Sequence, residues 1–285
     1  MEESTQSITR ISLDHVIVVV GVGVLATWLL TTSLGRRALA DSMPRRNRLA
    51  PYMPFIPFFV WIVGIGAMQN GIEWIMGSPG GWRGQFLDQI ILCTANLATA
   101  ALILIMAKLT FAQGLKGFGL RLKTVPKDAA IGFVNLLAVW PPVVAVVLIT
   151  AQLTRLFVGP HFEMPRHQGI DMVTESTVVS LQVIVITGAV VIAPVLEELL
   201  FRGFFQTTLR SYSERPWLSI FVTSLIFASV HENVTHWPAL FVLAVGMGYA
   251  YEKSGSLWRP IFIHALFNGL TLLAAWADQS NGAAS

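Results

Sequence analysis

Residues 178–196 run for 19 positions without a charge, and the next two residues are Glu197 and Glu198. Runs of this length and apolarity recur along the chain, and they limit what it can become. In hydrocarbon every backbone N–H and C=O must find its partner within the fold, so a lone segment crosses as a helix. About 20 apolar residues are needed to cross. The pattern predicts eight such helices, roughly 15–33, 53–76, 88–111, 129–152, 178–209, 217–231, 237–252 and 257–276. Composition agrees. Of 285 residues 54% are hydrophobic and only 12% charged, where soluble domains carry about 25% charge. The expected fold class is all-α: a polytopic transmembrane bundle of about eight helices, with little left for a separate soluble domain.

The expected organisation is four N-terminal membrane helices over 1–177, a core of four helices over 178–276 and a tail over 277–285. "ALA" at 38–40 resembles a signal-peptidase site. However, Glu2, Glu3 and Asp14 precede the first run against Arg10 alone, and Arg36 and Arg37 follow it, which is the charge order of an uncleaved anchor. The single cysteine, Cys93, permits no intramolecular disulfide and does not report the redox compartment.

Orientation follows from basic residues. The segment after the first run holds Arg36, Arg37, Arg45, Arg46 and Arg48, and the segment after the third holds Lys116, Arg121, Lys123 and Lys127. Arg210 and Arg215 follow the fifth, and Lys253 and Arg259 the seventh, so 13 of the 19 basic residues fall on one side. Only Arg10, Arg83 and Arg166 fall on the other. The positive-inside rule then predicts cytoplasmic loops at 34–52 and 112–128 and both termini outside a bacterial cytoplasmic membrane. The same loops suit anionic lipid headgroups, though topology alone accounts for them. Nothing in the pattern points to nucleic acid.

Ionisable groups at membrane depth are costly, and by default they are paired or functional. Glu198 and Arg202 are four apart, about 40° around a helix, and can pair. Glu197 lies about 140° from Arg202 and is left to face the bundle. Pro194, one turn earlier, has no N–H and is expected to leave the Val190 carbonyl unpartnered and to kink the helix. Taken alone, a structural charge cluster explains these residues as well as a functional site does. Other polar groups shift that balance. Phe227 and His231 are four apart late in the sixth run, and His264 and Asn268 share a face of the last. A carboxylate and an imidazole can divide the task of deprotonating water, and histidine and amide donors can stabilise an oxyanion. Glu197, His231 and His264 are also a catalytic zinc set with an open position. Asn268 is a poor zinc ligand, which favours the metal-free reading.

"HENVTH" at 231–236 imitates a zinc-protease motif, but its histidines are five apart where a shared helical face needs four. Glu232 and His236 are therefore expected in a loop. His15, His161 and His167 are expected at span edges or in loops, solvated. Neither a Gly-x-Ser-x-Gly nor an intramembrane Gly-x-Gly-Asp motif is present.

Three motifs follow one another on successive helices: EE-x-x-x-R at 197–202, F-x-x-x-H at 227–231 and H-x-x-x-N at 264–268. In that order they resemble the CPBP family, the type II CAAX prenyl proteases and bacteriocin-processing or self-immunity proteins. "GSLWRPIFIHALFNG" at 255–269 resembles that family's last helix, and 114–127 looks like the short amphipathic element ahead of its core. The resemblance covers about 178–276 and implies an intramembrane endopeptidase acting on a peptide or a prenylated or membrane-anchored protein. It implies that Glu197 activates water with help from His231, and that His264 and Asn268 hold the oxyanion. Glu198, supported by Arg202 and Phe227, would tune the site. The family is described both as metallopeptidase and as metal-free. A non-catalytic immunity or scaffold protein remains an alternative, as does a proton-coupled transporter, although no internal repeat supports the latter. Simple counting leaves one conflict: His231 falls about 21 Å along its helix from Trp217, away from the depth of Glu197 and His264.

Overall fold

The computed structural model describes residues 13–31, 36–77, 80–162 and 164–282. Glu2, Glu3 and Arg10, and the side chains of Asp14 and His15, lie outside that description. The described residues form an all-helical bundle: α1 (Leu13–Thr31), α2 (Phe55–Met76), α3 (Trp82–Thr110), α4 (Val125–Val158), α5 (Gln168–Thr174), α6 (Val179–Ser213), α7 (Pro216–Ser229), α8 (Trp237–Ser254) and α9 (Trp258–Gly282). A helical turn, Leu115–Phe118, precedes α4.

All eight apolar runs become helices, but they are unequal. Five described segments are long and apolar enough to cross a membrane: Phe55–Ile75, Trp82–Thr110, Leu115–Val158, Val179–Ser213 and Trp258–Ala277. Helix α7 has 14 residues, about 21 Å at 1.5 Å per residue, which is short of a ~30 Å hydrocarbon core. Helix α8 is outside those five, its C-terminal turns bearing Tyr249, Tyr251, Glu252 and Lys253. Helices α1, α7 and α8 fall outside those five, and the bundle of about eight apolar helices stands. Helix α9 continues through 277–282.

Helix α6 is the axis of the bundle. Every residue from Glu198 to Thr208 is buried, and a helix buried all round must be apolar all round unless its charges are paired. Leu196, Leu199, Leu200, Phe201 and Phe204 supply the apolar lining. Gly203 lets the Leu115–Phe118 turn approach: a Cβ there would stand 2.3 Å from the Phe118 ring. Residue 203 must therefore lack a side chain if Phe118 keeps its place.

The basic segments gather at one end. The Arg48 N–H donates to the Thr110 carbonyl (2.8 Å) and the Leu257 N–H to Gly119 (3.0 Å). Lys253 Nζ donates to the Ala38 carbonyl (2.9 Å), and Arg45 Nη2 to Tyr251 (3.1 Å). Arg259 pairs with Asp128 at 2.9 Å and ties the start of α9 to the start of α4. The "ALA" segment lies in this packing, with Leu39 only 1% exposed.

Candidate active site

Helix α6 is continuous, but its register changes twice. Residues Gly188–Ile192 and Leu199–Gln206 are π-helical, and the six residues Ala193–Glu198 between them are α-helical. Short π segments are rare and occur frequently at functional sites. Here they flank the glutamate pair on both sides. The first also moves the consequence of Pro194. The Ala193 N–H donates to the Gly188 carbonyl, five residues back. In that register the proline stands opposite Ala189, so Ala189 rather than Val190 loses its backbone donor. Asn268 Nδ2 supplies the bond, at 2.8 Å.

Glu198 pairs with Arg202 as the spacing predicts: Arg202 Nη1 donates to Glu198 Oε1 at 2.8 Å, and both side chains are buried. Arg202 Nη2 donates to the Ala244 carbonyl of α8 at 3.2 Å, and its guanidinium lies 4.7 Å from the Phe227 ring centroid. The same Glu198 oxygen lies 3.0 Å from His264 Nδ1. A carboxylate only accepts, so Nδ1 carries the proton, and in the neutral ring Nε2 keeps a lone pair. That Nε2 lies 3.8 Å from Glu197 Oε2. Glu197 Oε2 and Glu198 Oε2 are both buried and have no hydrogen-bond partner among the described residues.

The structure thus brings Glu197, Glu198, Arg202 and His264 together. Asn268 lies one turn along α9, with Nδ2 engaged on Ala189. His231 is separate. Its Nδ1 is 2.8 Å from the Phe227 carbonyl, and no described hydrogen bond or ion pair joins it to Glu197 or His264. The Phe227 ring stands between the two histidines, with centroids 4.9 Å from His231 and 5.7 Å from His264. The depth conflict narrows because α6 runs on to Ser213, about 24 Å beyond Glu197 at 1.5 Å per residue, so Glu197 also lies deep, and the Phe227 ring neighbours both histidines.

The three zinc donors considered from sequence do not assemble. Glu197 and His264 provide two donor atoms, His231 faces a phenyl ring, and no group of three His, Cys, Asp or Glu residues among those described is arranged to hold a metal ion. The residues present do not fit a zinc centre. Glu232 is exposed and His236 sits in a 3-10 turn before α8, so "HENVTH" shares no helical face. Burial pushes the His236 imidazole below the usual histidine range, against a hydrogen bond that the ring donates to the Pro165 carbonyl, with His167 and His231 adding to the depression. His161 and His167 are exposed, as expected, and His167 Nδ1 accepts from the Gly169 N–H at the start of α5.

Sequence reasoning missed the π segments and a second buried ion pair, Arg210–Glu252 (3.0 Å). Its members lie 42 residues apart, and no local spacing links them.

A family model, the Rce1-like type II CAAX prenyl endopeptidases, matches residues 179–270. The match holds all three motifs and both π segments. An "Uncharacterized 24.3 kDa protein" of Escherichia coli is 34% identical over 87 residues, 29% of this chain and 40% of that protein. "Putative membrane peptidase YdiL" of Bacillus subtilis (strain 168) is 26% identical over 110 residues, 37% of this chain and 45% of that protein. The chain spans less than half the length of these curated relatives. No solved structure matches.

Proposed function

We propose, from the Rce1-like domain at 179–270, that this integral membrane protein is an endopeptidase that cleaves a peptide bond of a membrane-anchored chain with a water activated by Glu197. The observation that carries the reading is the pair Glu197 Oε2 and His264 Nε2, 3.8 Å apart, the first buried with no protein partner. Such a separation is too long for a hydrogen bond and suits a water bonded to both. Each group accepts, and water has two protons to give. The oxygen lone pair is thereby aimed, and Glu197 takes a proton as the oxygen attacks the peptide carbonyl carbon. The C–N bond then breaks and the same proton passes to the leaving amine. Glu198 holds His264 through Nδ1 and is itself balanced by Arg202.

This assignment exchanges part of the roles that the resemblance implies for the histidines: His264, not His231, adjoins Glu197. His231 has Nδ1 on the Phe227 carbonyl and no described hydrogen bond on Nε2, which leaves that nitrogen for a substrate group. Asn268 has a second amide N–H, which suits it to an oxyanion.

Mass spectrometry of membranes carrying the wild type or Glu197→Gln tests the reading, with uncleaved membrane-anchored peptides accumulating in the variant. Identical peptide sets would overturn it. The reading is also metal-free, so a zinc chelator should leave cleavage unchanged; loss with the chelator and revival with zinc would refute that part. The basic end is read as cytoplasmic, with both termini outside. Single cysteines at Ser4 and Ser280 in a Cys93→Ala chain should then react with an impermeant reagent from outside. Labelling from the cytoplasm would reverse the orientation.

A further inference from the structure

We infer that Asn268 is a positioning residue for the glutamates: it fixes the π register ahead of Glu197 by donating to the carbonyl that Pro194 leaves bare. This rests on the proposed reaction only for its activity arm. The Ala193 N–H answers Gly188, Pro194 has no N–H to answer Ala189, and Asn268 Nδ2 does so at 2.8 Å. A bare carbonyl at membrane depth is costly, so without Asn268 the segment gains by rearranging.

The geometry says what rearrangement would do. A π turn holds one extra residue, and losing it rotates the following residues by about 100°. Ala193–Glu198 is the next segment. Glu197 and Glu198 would leave the two nitrogens of His264. Because His264 and Asn268 are four apart on α9, one helical face presents the imidazole to the glutamates and the amide to the break that aims them. The second Asn268 N–H is not used in this role.

Pro194→Ala restores a backbone N–H where the asparagine amide now acts, and so should make that amide dispensable for register. The native thiol reports the register without reference to catalysis. Cys93 is the only cysteine and is buried. Its Sγ lies 3.2 Å from where a Cβ on Gly188 would stand. In detergent, Asn268→Ala should raise the rate of Cys93 modification by a small maleimide about tenfold, the opening that one lost hydrogen bond allows. The Pro194→Ala/Asn268→Ala chain should return close to the wild-type rate and regain part of the cleavage lost in the single variant. Asn268→Asp, run in parallel, keeps the shape and removes the donor should the alanine fail to fold. An unchanged Cys93 rate in the single variants, or a rise that Pro194→Ala does not reverse, overturns the inference. So does restored Cys93 protection with no recovery of cleavage, which would show that the register does not aim the glutamates and that the activity is lost at the substrate. If the wild type cleaves nothing, the functional reading fails while the thiol rates still decide the capping.

Discussion

Two buried ion pairs lie along α6, and they are finished differently. Toward the basic end, Glu252 accepts from Arg210 Nε (3.0 Å) and Ser42 (3.1 Å) on Oε1 and from Gln206 (3.4 Å) on Oε2. Arg210 Nη2 also donates to the Ser42 carbonyl (3.0 Å). Both oxygens of this carboxylate are engaged. Two turns earlier, Glu198 concentrates Arg202 and His264 on Oε1, while its Oε2 and that of Glu197 are buried and unpartnered. Burying a polar atom without a partner costs about 1–3 kcal/mol, more for a charged group. A fold that satisfies one carboxylate fully and leaves two others short has spent stability at one place only. The finished pair clamps the loop after α1 to α6 and α8. The unfinished one is where a water or substrate group can enter.

The comparison makes opposite demands on two glutamates. Glu197→Gln removes a base and keeps the shape, so cleavage should fall by about 10²–10⁴-fold, the share of a general base, with thermal stability unchanged. Near wild-type turnover would erase the distinction between the pairs. Glu252→Ala breaks a closed network and leaves Arg210 buried, at a cost of about 3–5 kcal/mol. Denaturation in detergent should show that loss, while turnover per folded molecule stays within about threefold, as expected for a group that touches no reacting atom. A turnover loss matching Glu197→Gln would mean that the clamp belongs to the reaction.

How the sequence carried these features follows from the range of each interaction. Apolar runs are local, and the described helix ends of the eight runs fell within six residues of their expected places, although the short α5 was not foreseen. Glu198–Arg202 is an i,i+4 pair and was legible for the same reason. The π segments were not, because a helical wheel assumes one register throughout; the assumption put the bare carbonyl at Val190 instead of Ala189. Nor was the partner of His264. The wheel placed it with Asn268 on one face but held no information that α9 meets α6 there. Arg210–Glu252 and the separation of His231 from Glu197 likewise depend on how distant helices pack.

The smallest expected effect tests whether the finished end influences the unfinished one. Thr207 spends its backbone N–H on Phe204, and its hydroxyl donates to the Arg202 carbonyl at 3.1 Å within the second π segment. With that proton committed, Thr207 Oγ1 accepts from Tyr251 Oη at 2.9 Å. Oη is also 3.4 Å from the Phe118 carbonyl, too long to compete for its one proton. Arg45 stacks on the same ring, 3.6 Å from its centroid. A line of contacts thus runs from the basic loop to the residue that balances Glu198. Tyr251→Phe keeps the ring, the Arg45 stacking and the Thr207 donation, and removes one neutral hydrogen bond. Stability should fall by about 0.5–1.5 kcal/mol. Turnover should hold within about twofold, because Arg202 keeps its carbonyl partner and Glu198 its cation. A drop of tenfold or more in the folded variant would show that the second π register is set from the basic end, and that the two pairs work as one device.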